Sequence, residues 1–297
     1  MKSINCLGNL IDLTSPRVMG VLNLTPDSFY DGGKYKSDVQ ILSQVEKMLL
    51  EGATFIDLGA YSSRPGATHV SLEEERSRLL PTLKLILKEF DKALVSVDTF
   101  RSEIARESIA EGAALINDIS AGHLDPEMFQ TIAQLQVPYI IMHMKGNPQN
   151  MTSQAQYENL LKEIIYYFSE RVFELRKLGV NDIIIDPGYG FSKTLDQNYE
   201  LLGKSELLGN LGLPVLTGVS RKSMLYKLIG TGPEDALAAT VAAHVIALLK
   251  GTHILRVHDV KEAMQAIQIV EKTNLEAGHG EASFLCNWTD FALPVLR

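Results

Sequence analysis

The feature that most restricts the possible folds is a unit that recurs along the chain: a short apolar run that ends on a polar side chain, then a segment with helical spacing. Residues 18–22 form the first run, which stops at Asn23, and the first helical segment covers residues 38–50. Such runs predict buried strands, and apolar residues three and four positions apart predict helices that pack on them. Further strands are predicted at 54–58, 93–97, 114–116, 137–142, 182–185, 214–217 and 254–257. Further helices are predicted at 71–90, 102–111, 126–134, 156–178 and 196–208, from Ser223, and at 233–249 and 260–272.

The number and spacing of these units predict the fold class. Eight strand–helix units, one about every 30 residues, are typical of successive βαβ crossovers in a parallel sheet. No break in composition and no Pro/Ser-rich linker divides the 297 residues. These features favour an α/β fold, a single (β/α)8 TIM barrel, over two doubly wound domains, which the periodicity leaves open. We expect one barrel domain over residues 1–297, with 1–16 and 274–297 as terminal extensions.

Local signals refine the helix and loop assignments. Ser71 and Glu74 form a capping-box pattern, and Asp125 is the expected N-cap of the helix 126–134. Gly188 and Gly190, in the stretch D-P-G-Y-G-F, are expected to permit a tight turn or a close approach of the backbone to a ligand.

Composition excludes several classes of function. A net charge of −8 argues against a nucleic-acid binder, because such proteins need clustered Lys and Arg. Cys6 and Cys286 have no C-x-x-C spacing, which argues against a zinc site or a disulfide framework. The most apolar segment, 236–249, is too short to span a bilayer, and the N-terminus has no signal-peptide pattern. We therefore expect a cytoplasmic protein with no nucleic-acid or membrane partner.

Polar side chains at the strand ends are the candidate site residues, because the loops that follow the strands of such a barrel gather on one face. Acids and amides come mostly from the first six strands, and cations from the last two. The site is therefore expected to have an acidic half and a basic half. These residues are Asn23, Asp57, Asp98, Asn117, His143, Asp186, Lys222, Arg256 and His258.

The acidic half suits a planar heterocycle rich in N–H donors. A carboxylate accepts two parallel N–H bonds, and an amide supplies one donor and one acceptor. Asp98, Asn117 and Asp186 supply these groups, and Lys222 is placed to meet a ring carbonyl or nitrogen. The alternative, that strand-end Asp and Asn only cap the following helices, stays open for any single residue.

The basic half suits an anion. Arg256 and His258 lie two positions apart on one strand, so both side chains point to the same side. With Arg64 from the second loop (residues 60–68) they form a candidate anion site, although a solvated loop arginine is the simpler reading of Arg64 alone. Neither a dinucleotide-binding glycine pattern nor a Walker pattern is present.

Seven stretches, in order between about residues 17 and 270, resemble the dihydropteroate synthase family of pterin-binding enzymes. They are M-G-V-L-N-L-T-P-D-S-F-Y-D-G-G, S-R-P-G, S-V-D-T-F, I-N-D-I, D-P-G-Y-G-F-S-K, G-V-S-R-K-S and R-V-H-D-V. The resemblance implies a homodimeric (β/α)8 barrel that joins p-aminobenzoate to dihydropterin diphosphate in folate biosynthesis, releases diphosphate, requires Mg²⁺ and is a sulfonamide target. It also implies a dissociative, SN1-like displacement, because the dihydropterin ring delocalises the cation that is left when diphosphate departs.

The resemblance implies roles for individual residues. The pterin pocket is lined by Asp98, Asn117, Asp186 and Lys222, with Met142 and Phe191 near the ring. The diphosphate and its metal are held by Asn23, Arg64, Arg256 and His258, with Asn23 as the metal ligand, and Ser63 is a further substrate-binding residue. The p-aminobenzoate is surrounded by Phe29, Pro65, Lys222 and Ser223, and Asp31 is a first-loop acid near the reacting centre. The catalytic set is Asp98, Lys222, Arg256, His258, Arg64 and Asp31.

The chain departs from the family pattern in its second loop. It reads G-A-Y-S-S-R-P-G where the family has G-G-E-S-T-R-P-G, so that Ala60, Tyr61 and Ser63 differ. Ser192 replaces a usual glycine, and Tyr189 a usual phenylalanine. The altered loop keeps a catalytically silent pterin-binding paralogue as an alternative. A pterin-dependent methyltransferase is another, although it has no use for S-R-K-S or S-R-P-G.

Overall fold

The computed structural model describes residues 2–24, 38–61 and 70–276. It begins with an antiparallel hairpin of β1 (Ser3–Cys6) and β2 (Asn9–Asp12). The barrel strands follow: β3 (Arg17–Asn23), β4 (Phe55–Gly59), β5 (Leu94–Asp98), β6 (Leu115–Asp118), β7 (Tyr139–Met142), β8 (Ile183–Asp186), β9 (Leu216–Thr217) and β10 (Ile254–Val257).

The parallel strands form a closed ring. Backbone hydrogen bonds join them in the order β8-β7-β6-β5-β4-β3-β10-β9, and a parallel bridge between Ile185 and Val215 connects the two ends. The prediction of a (β/α)8 barrel is therefore confirmed. The carboxyl ends of β3–β10 all open on one face, which we call the mouth.

Helices cover the outside of the ring. They are α1 (Asp38–Leu50), α2 (Leu72–Glu89), α3 (Ser102–Ala110), α4 (Met128–Leu135), α5 (Leu160–Lys177), α6 (Leu195–Gly203), α7 (Ser223–Ile229), α8 (Leu237–Leu249) and α9 (Val260–Glu276). Short 3-10 helices cover Met151–Gln154, Ser205–Leu211 and Pro233–Asp235. Within the described ranges, no helix combines the length and the apolar character needed to cross a membrane.

Some predicted helix ends are wrong by a few residues. The helix predicted at 196–208 ends at Gly203 and continues as a 3-10 turn. Ser71 does cap α2, since its side chain accepts from the backbone N–H of Glu74. Asp125 is not an N-cap: it accepts instead from the N–H groups of Ser102 and Glu127, and so links the starts of α3 and α4.

The N-terminal hairpin closes the end of the barrel opposite the mouth. Its buried residues Ile4 and Cys6, with the following Leu13, pack against one apolar layer inside the barrel. That layer consists of Met19, Phe55, Ala114, Leu115, Ile140, Ile184, Leu216 and Ile254. Residues 2–16, expected to be only an extension, therefore form the floor of the barrel.

Strand register places the polar strand ends at one level. Asn23 is the register partner of Gly59, Gly59 of Asp98, and Asp98 of Asn117. Since neighbouring parallel strands lie about 4.8 Å apart, these residues form a continuous row along one side of the mouth.

Candidate active site

An ion-pair network centred on Arg256 occupies the middle of the mouth. Its Nε donates to Oδ2 of Asp57 at 2.6 Å, and its Nη2 donates to Oδ2 of Asp98 at 2.9 Å. Nδ2 of Asn117 donates to the same Asp57 oxygen at 3.1 Å. Strands β4, β5, β6 and β10 are thereby connected through four side chains.

This network joins the two halves of the expected site. Asp98 and Asn117 lie at one site with Arg256, as predicted, and Arg256 is ion-paired with the carboxylates. His258 turns to the loop after β9, where its Nδ1 lies 3.1 Å from Oγ of Ser220. A guanidinium beside the buried Asp57 and the half-buried Asp98 gains more from pairing than from solvation, because an unpaired buried charge is very costly.

Two carboxylates of the network, Asp57 and Asp98, share a single guanidinium, that of Arg256. Burial raises the pKa of Asp98 to about 7; Arg256 opposes this, whereas Asp57, Glu75 and Asp118 raise it further. Burial alone would lower the pKa of Arg256, but Asp57 and Asp98 raise it above its ordinary value. Arg256 is therefore permanently charged, and Asp98 changes its charge near neutral pH.

Asp186 at the end of β8 and Lys222 in the loop after β9 form a second pair of interacting polar side chains. Burial raises the pKa of Asp186, and the nearby Lys222 opposes this. Burial lowers the pKa of Lys222 to about 8, and Asp186 opposes that. Lys222 donates to the carbonyl oxygen of Tyr189, and its Nζ lies 4.7 Å from the centre of the Phe191 ring. An ammonium held over an aromatic face next to a carboxylate is placed to contact a polar ring.

The expected role of the two glycines in the loop after β8 is confirmed by the backbone. Gly188 has φ +71°, and a Cβ there would lie 2.1 Å from the carbonyl oxygen of His143. Gly190 has φ +80°, and a Cβ there would lie 3.3 Å from Cδ of Lys222. Ser192, which stands at a usual glycine position, also has a left-handed φ of 44°. The loop is a tight turn whose backbone approaches its neighbours closely.

An apolar wall borders the polar groups on the β6–β8 side. Met142 is buried in a cluster with Ile119 and Met144, and the partly buried rings of Phe100 and Phe191 pack against it. Met142 and Phe191 therefore belong to one surface, beside Lys222. Thioether and aromatic groups suit the faces of a flat ring.

The S-R-K-S and R-V-H-D motifs are connected to each other. Nε and Nη2 of Arg221 each donate to a carboxylate oxygen of Asp259 at 2.8 Å, and its Nη1 donates to the carbonyl oxygens of Pro233 and Glu234. Arg221 therefore holds the loop together. Ser223 is the first residue of α7.

Five of the predicted site residues lie outside the described residues: Phe29, Asp31, Ser63, Arg64 and Pro65. The first two belong to the first loop and the others to the second loop. Their roles stay predictions.

Tyr61, which stands where the resembling family has glutamate, is the last described residue before the gap in the second loop. Its ring meets the ring of Phe100 edge-on at 5.1 Å, and the guanidinium of Arg101 lies 5.6 Å from the Tyr61 ring. Arg101 also donates to the carbonyl oxygen of Val70 at 2.6 Å. Arg101 therefore contacts both Tyr61 and Val70.

Comparison with known proteins assigns the family. A family model described as pterin binding enzyme matches residues 19–258. The chain belongs to the pterin-binding enzyme family. Its sequence is 41% identical to the dihydropteroate synthase of Escherichia coli K12 over 268 residues, which cover 90% of this chain and 94% of that protein. It is 39% identical to the dihydropteroate synthase of Haemophilus influenzae, over 89% of this chain and 96% of that one.

Solved structures of the same family superpose closely. The Yersinia pestis dihydropteroate synthase in complex with a sulfonamide drug has a TM-score of 0.87 at 40% identity, and the match covers 92% of this chain and 99% of that one. The Xanthomonas albilineans dihydropteroate synthase with 4-aminobenzoic acid has a TM-score of 0.85 at 37% identity, over 92% and 98%. The motif resemblance in the sequence is thus confirmed.

Two polar residues of this pterin-binding enzyme received no role from its sequence. Asp57 was recognised as a strand-end acid, yet the structure makes it the carboxylate shared by Arg256 and Asn117. The signal was an acid inside an otherwise apolar strand, which is unusual unless the acid is paired. Lys193 is only 9% exposed; it ends the D-P-G-Y-G-F-S-K stretch, but nothing in that stretch distinguishes a buried lysine from a solvated one.

Proposed function

We propose that this transferase of folate biosynthesis is a dihydropteroate synthase, which joins p-aminobenzoate to (7,8-dihydropterin-6-yl)methyl diphosphate. The observation that carries the proposal is the clustering of Asp98, Asn117, Asp186 and Lys222 at the mouth of a barrel that shares 41% identity with such enzymes over most of its length. Its products are 7,8-dihydropteroate and diphosphate.

The pterin ring binds on the acidic side of the mouth. The carboxylates of Asp98 and Asp186 accept the N–H groups of the ring, and Asn117 supplies a donor and an acceptor. Asn117 and Asp186 are buried and the Asp98 side chain is 15% exposed, which supports this placement because a carboxylate shielded from water forms strong charge-assisted bonds. Met142 and Phe191 cover the ring faces, and Lys222 meets a ring oxygen or nitrogen.

The reaction proceeds by dissociative displacement. The bond between the pterin methylene carbon and diphosphate breaks, and both electrons leave with the diphosphate. The amine nitrogen of p-aminobenzoate then bonds to the methylene carbon and loses a proton. The amine is a weak nucleophile, so stabilising the pterin cation is the main task of the protein, and Asp57, Asp98 and Asp186 carry the charge that does so.

The diphosphate binds with Mg²⁺ near the end of β3. A Mg²⁺ ion keeps several waters and is usually held by one or two protein oxygens together with substrate phosphates, so one amide oxygen suffices. Asn23 supplies such an amide oxygen at the end of β3. Its Oδ1 lies beside Gly59, 3.7 Å from the position that a Cβ on that glycine would take. Bound Mg²⁺ would neutralise charge on the diphosphate. Arg64, Arg256 and His258 supply further cationic contacts.

The protein acts as a cytoplasmic homodimer. Support for a dimer comes from α8, which carries no Asp, Glu, Lys or Arg and lies on the outside of the barrel. Ile246 and Leu249 of this helix are 42% and 46% exposed, and Ile269 of the neighbouring α9 is 63% exposed. Exposed apolar patches of this kind mark interfaces. The two isolated cysteines are consistent with a reducing compartment.

An assay of diphosphate release by the purified protein tests the function. Release from dihydropterin diphosphate that requires both p-aminobenzoate and Mg²⁺, with formation of dihydropteroate and competition by a sulfonamide, is expected. Pterin binding without release at any amine concentration would favour a silent paralogue, the alternative that the Tyr61 substitution keeps open. Transfer of a methyl group from a methylated pterin would favour the methyltransferase.

A further inference from the structure

Lys193, a buried lysine, lies behind the loop that follows β8. Its Nζ donates to the carbonyl oxygens of Gly188 at 2.9 Å and Phe191 at 3.1 Å, and lies 3.1 Å from Nδ1 of His143. An ammonium group has three N–H donors, so these three acceptors use all of them. The side chain thus supports the 187–191 loop from inside the protein.

The supported loop is in contact with two residues of the pterin site. The N–H of Gly188 donates to Oδ1 of Asp186 at 2.8 Å, and the carbonyl oxygen of Tyr189 accepts from Lys222. A change at Lys193 therefore reaches Asp186 through Gly188 and Lys222 through Tyr189.

Lys193 also acts on Asp186 by its charge. Burial raises the pKa of Asp186, and Lys222, the N–H of Gly188, Arg256 and Lys193 all lower it. Lys222 and Arg256 face the mouth, where they also meet other groups. Lys193 is buried within the protein, where charges are poorly screened.

Lys193 itself is charged below neutral pH. Burial lowers the pKa of Lys193 to about 7; Asp186 opposes this, while Lys222 and Lys145 lower it further. Burial, with Lys193 and Lys145, holds the pKa of His143 well below its ordinary value, so this ring is neutral and its Nδ1 is free to accept a bond from an ammonium.

We propose that Lys193 is a positioning residue of the pterin site, whose buried ammonium holds the 187–191 loop in place and keeps Asp186 ionised for the N–H groups of the pterin ring. The inference rests on the proposed function, because it is the pterin ring that requires a carboxylate at Asp186. Lys193 touches no substrate and acts only through its neighbours.

The test compares Lys193→Gln with wild type in the affinity for 7,8-dihydropterin, measured by titration calorimetry at pH 6, 7 and 8. The glutamine keeps N–H donors for the two carbonyls but carries no charge. We expect its affinity at pH 6 to be about tenfold weaker than that of wild type, with a smaller difference at pH 8, where Lys193 of wild type is itself mostly neutral because burial lowers its pKa to about 7. The matched control is Lys204→Gln, because Lys204 is an exposed lysine that is ion-paired with Glu200 at 2.8 Å, and it should follow wild type at every pH.

The outcomes separate the two proposals. If wild type binds dihydropterin and Lys193→Gln shows the same pH dependence, the positioning role is wrong. If wild type binds no dihydropterin at any pH, the proposed function fails first. If the variant does not fold, ¹⁵N NMR of wild-type His143 at pH 6 decides: a bare Nδ1 supports an ammonium donor at Lys193, whereas a protonated Nδ1 shows a neutral amine and overturns the inference.

Discussion

Replacement of Asp57 by Asn removes the carboxylate that two other polar residues share at the mouth. Asp57 is fully buried, and its Oδ2 accepts from Arg256 at 2.6 Å and from Asn117 at 3.1 Å. A hydrogen bond to a charged group contributes about 1.5–3 kcal/mol, and Arg256 keeps its bond to Asp98, so we expect a loss of about 2 kcal/mol in the free energy of unfolding. Each kcal/mol corresponds to a fall in Tm of about 2–4 °C for a chain of this size.

The same substitution changes the charge state of Asp98. Burial raises the pKa of Asp98 to about 7, and the negative charge of Asp57 contributes to the rise. Without that charge, and with Arg256 no longer shared, Asp98 ionises at lower pH. Since the proposed mechanism requires the ionised form, the acid limb of kcat/KM for dihydropterin diphosphate should move to lower pH. The maximum should fall, because Arg256 has lost one of its two anchors.

The assay follows kcat/KM between about pH 5 and pH 9, with thermal unfolding of each sample as the measure of stability. Asp12→Asn is the control, because Asp12 is an exposed acid on the hairpin at the opposite end of the barrel. It should leave both the limb and the maximum unchanged. An Asp57→Asn enzyme with the acid limb and the maximum of wild type would refute the assignment of Asp57 to the electrostatics of the site.

Four further substitutions test other parts of the account. Lys222→Ala and Arg256→Ala should each abolish most turnover while the far-UV circular dichroism spectrum stays that of wild type; near-normal activity in either would remove that residue from the mechanism. Tyr61→Leu should lower the free energy of unfolding by about 0.5–1.5 kcal/mol, as measured by urea titration, through loss of its edge-on contact with Phe100, and an unchanged midpoint would count against that contact. His244→Leu should resist acid better than wild type. Burial lowers the pKa of His244 to about 4, so the unfolded chain binds a proton more readily than the folded protein does. Wild type therefore loses stability as the pH falls from about 6.5 to about 4, and the variant does not have this loss. Parallel stability–pH curves for the two proteins would contradict this.

Most of the barrel was accessible from the sequence because its signals are local. Each unit combines an apolar run with a helix of regular period, and α1 and β10 were predicted with the bounds that the structure has. The hairpin β1–β2 was missed because its strands have four residues each and little alternation. Its turn at Leu7 and Gly8, with φ of 52° and 80°, resembles the left-handed turns that two-residue hairpins favour, but Leu-Gly is a weak sequence signal for one.

The residues of the site were accessible for the same reason, but their pairing was not. Polar side chains at strand ends could be read directly, whereas Arg256 lies 199 residues from Asp57 and 158 from Asp98 in sequence. Which cation meets which acid depends on ring closure between β3 and β10, a long-range contact with no local signal. The sequence therefore predicted the members of the site but not the pairing of Arg256 with Asp57 and Asp98.

The pairing of Arg256 with Asp57 and Asp98 determines the balance of charge at the mouth. One guanidinium is bonded to two carboxylates, so Asp57 and Asp98 together carry one more negative charge than Arg256 neutralises whenever Asp98 is ionised. Burial is the main cause of the raised pKa of Asp98, and the charge of Asp57 adds to it. Departure of diphosphate creates a positive charge on the pterin. We infer that the resting site lacks one positive charge, and that the reaction supplies it on the pterin. The site is therefore electrostatically more complementary to the pterin cation than to the bound substrate. Fixed charges arranged in this way lower the activation free energy of the reaction. A neutral substitute for Asp98 would remove that difference even if pterin still bound, and kcat would then fall more than the affinity for the pterin.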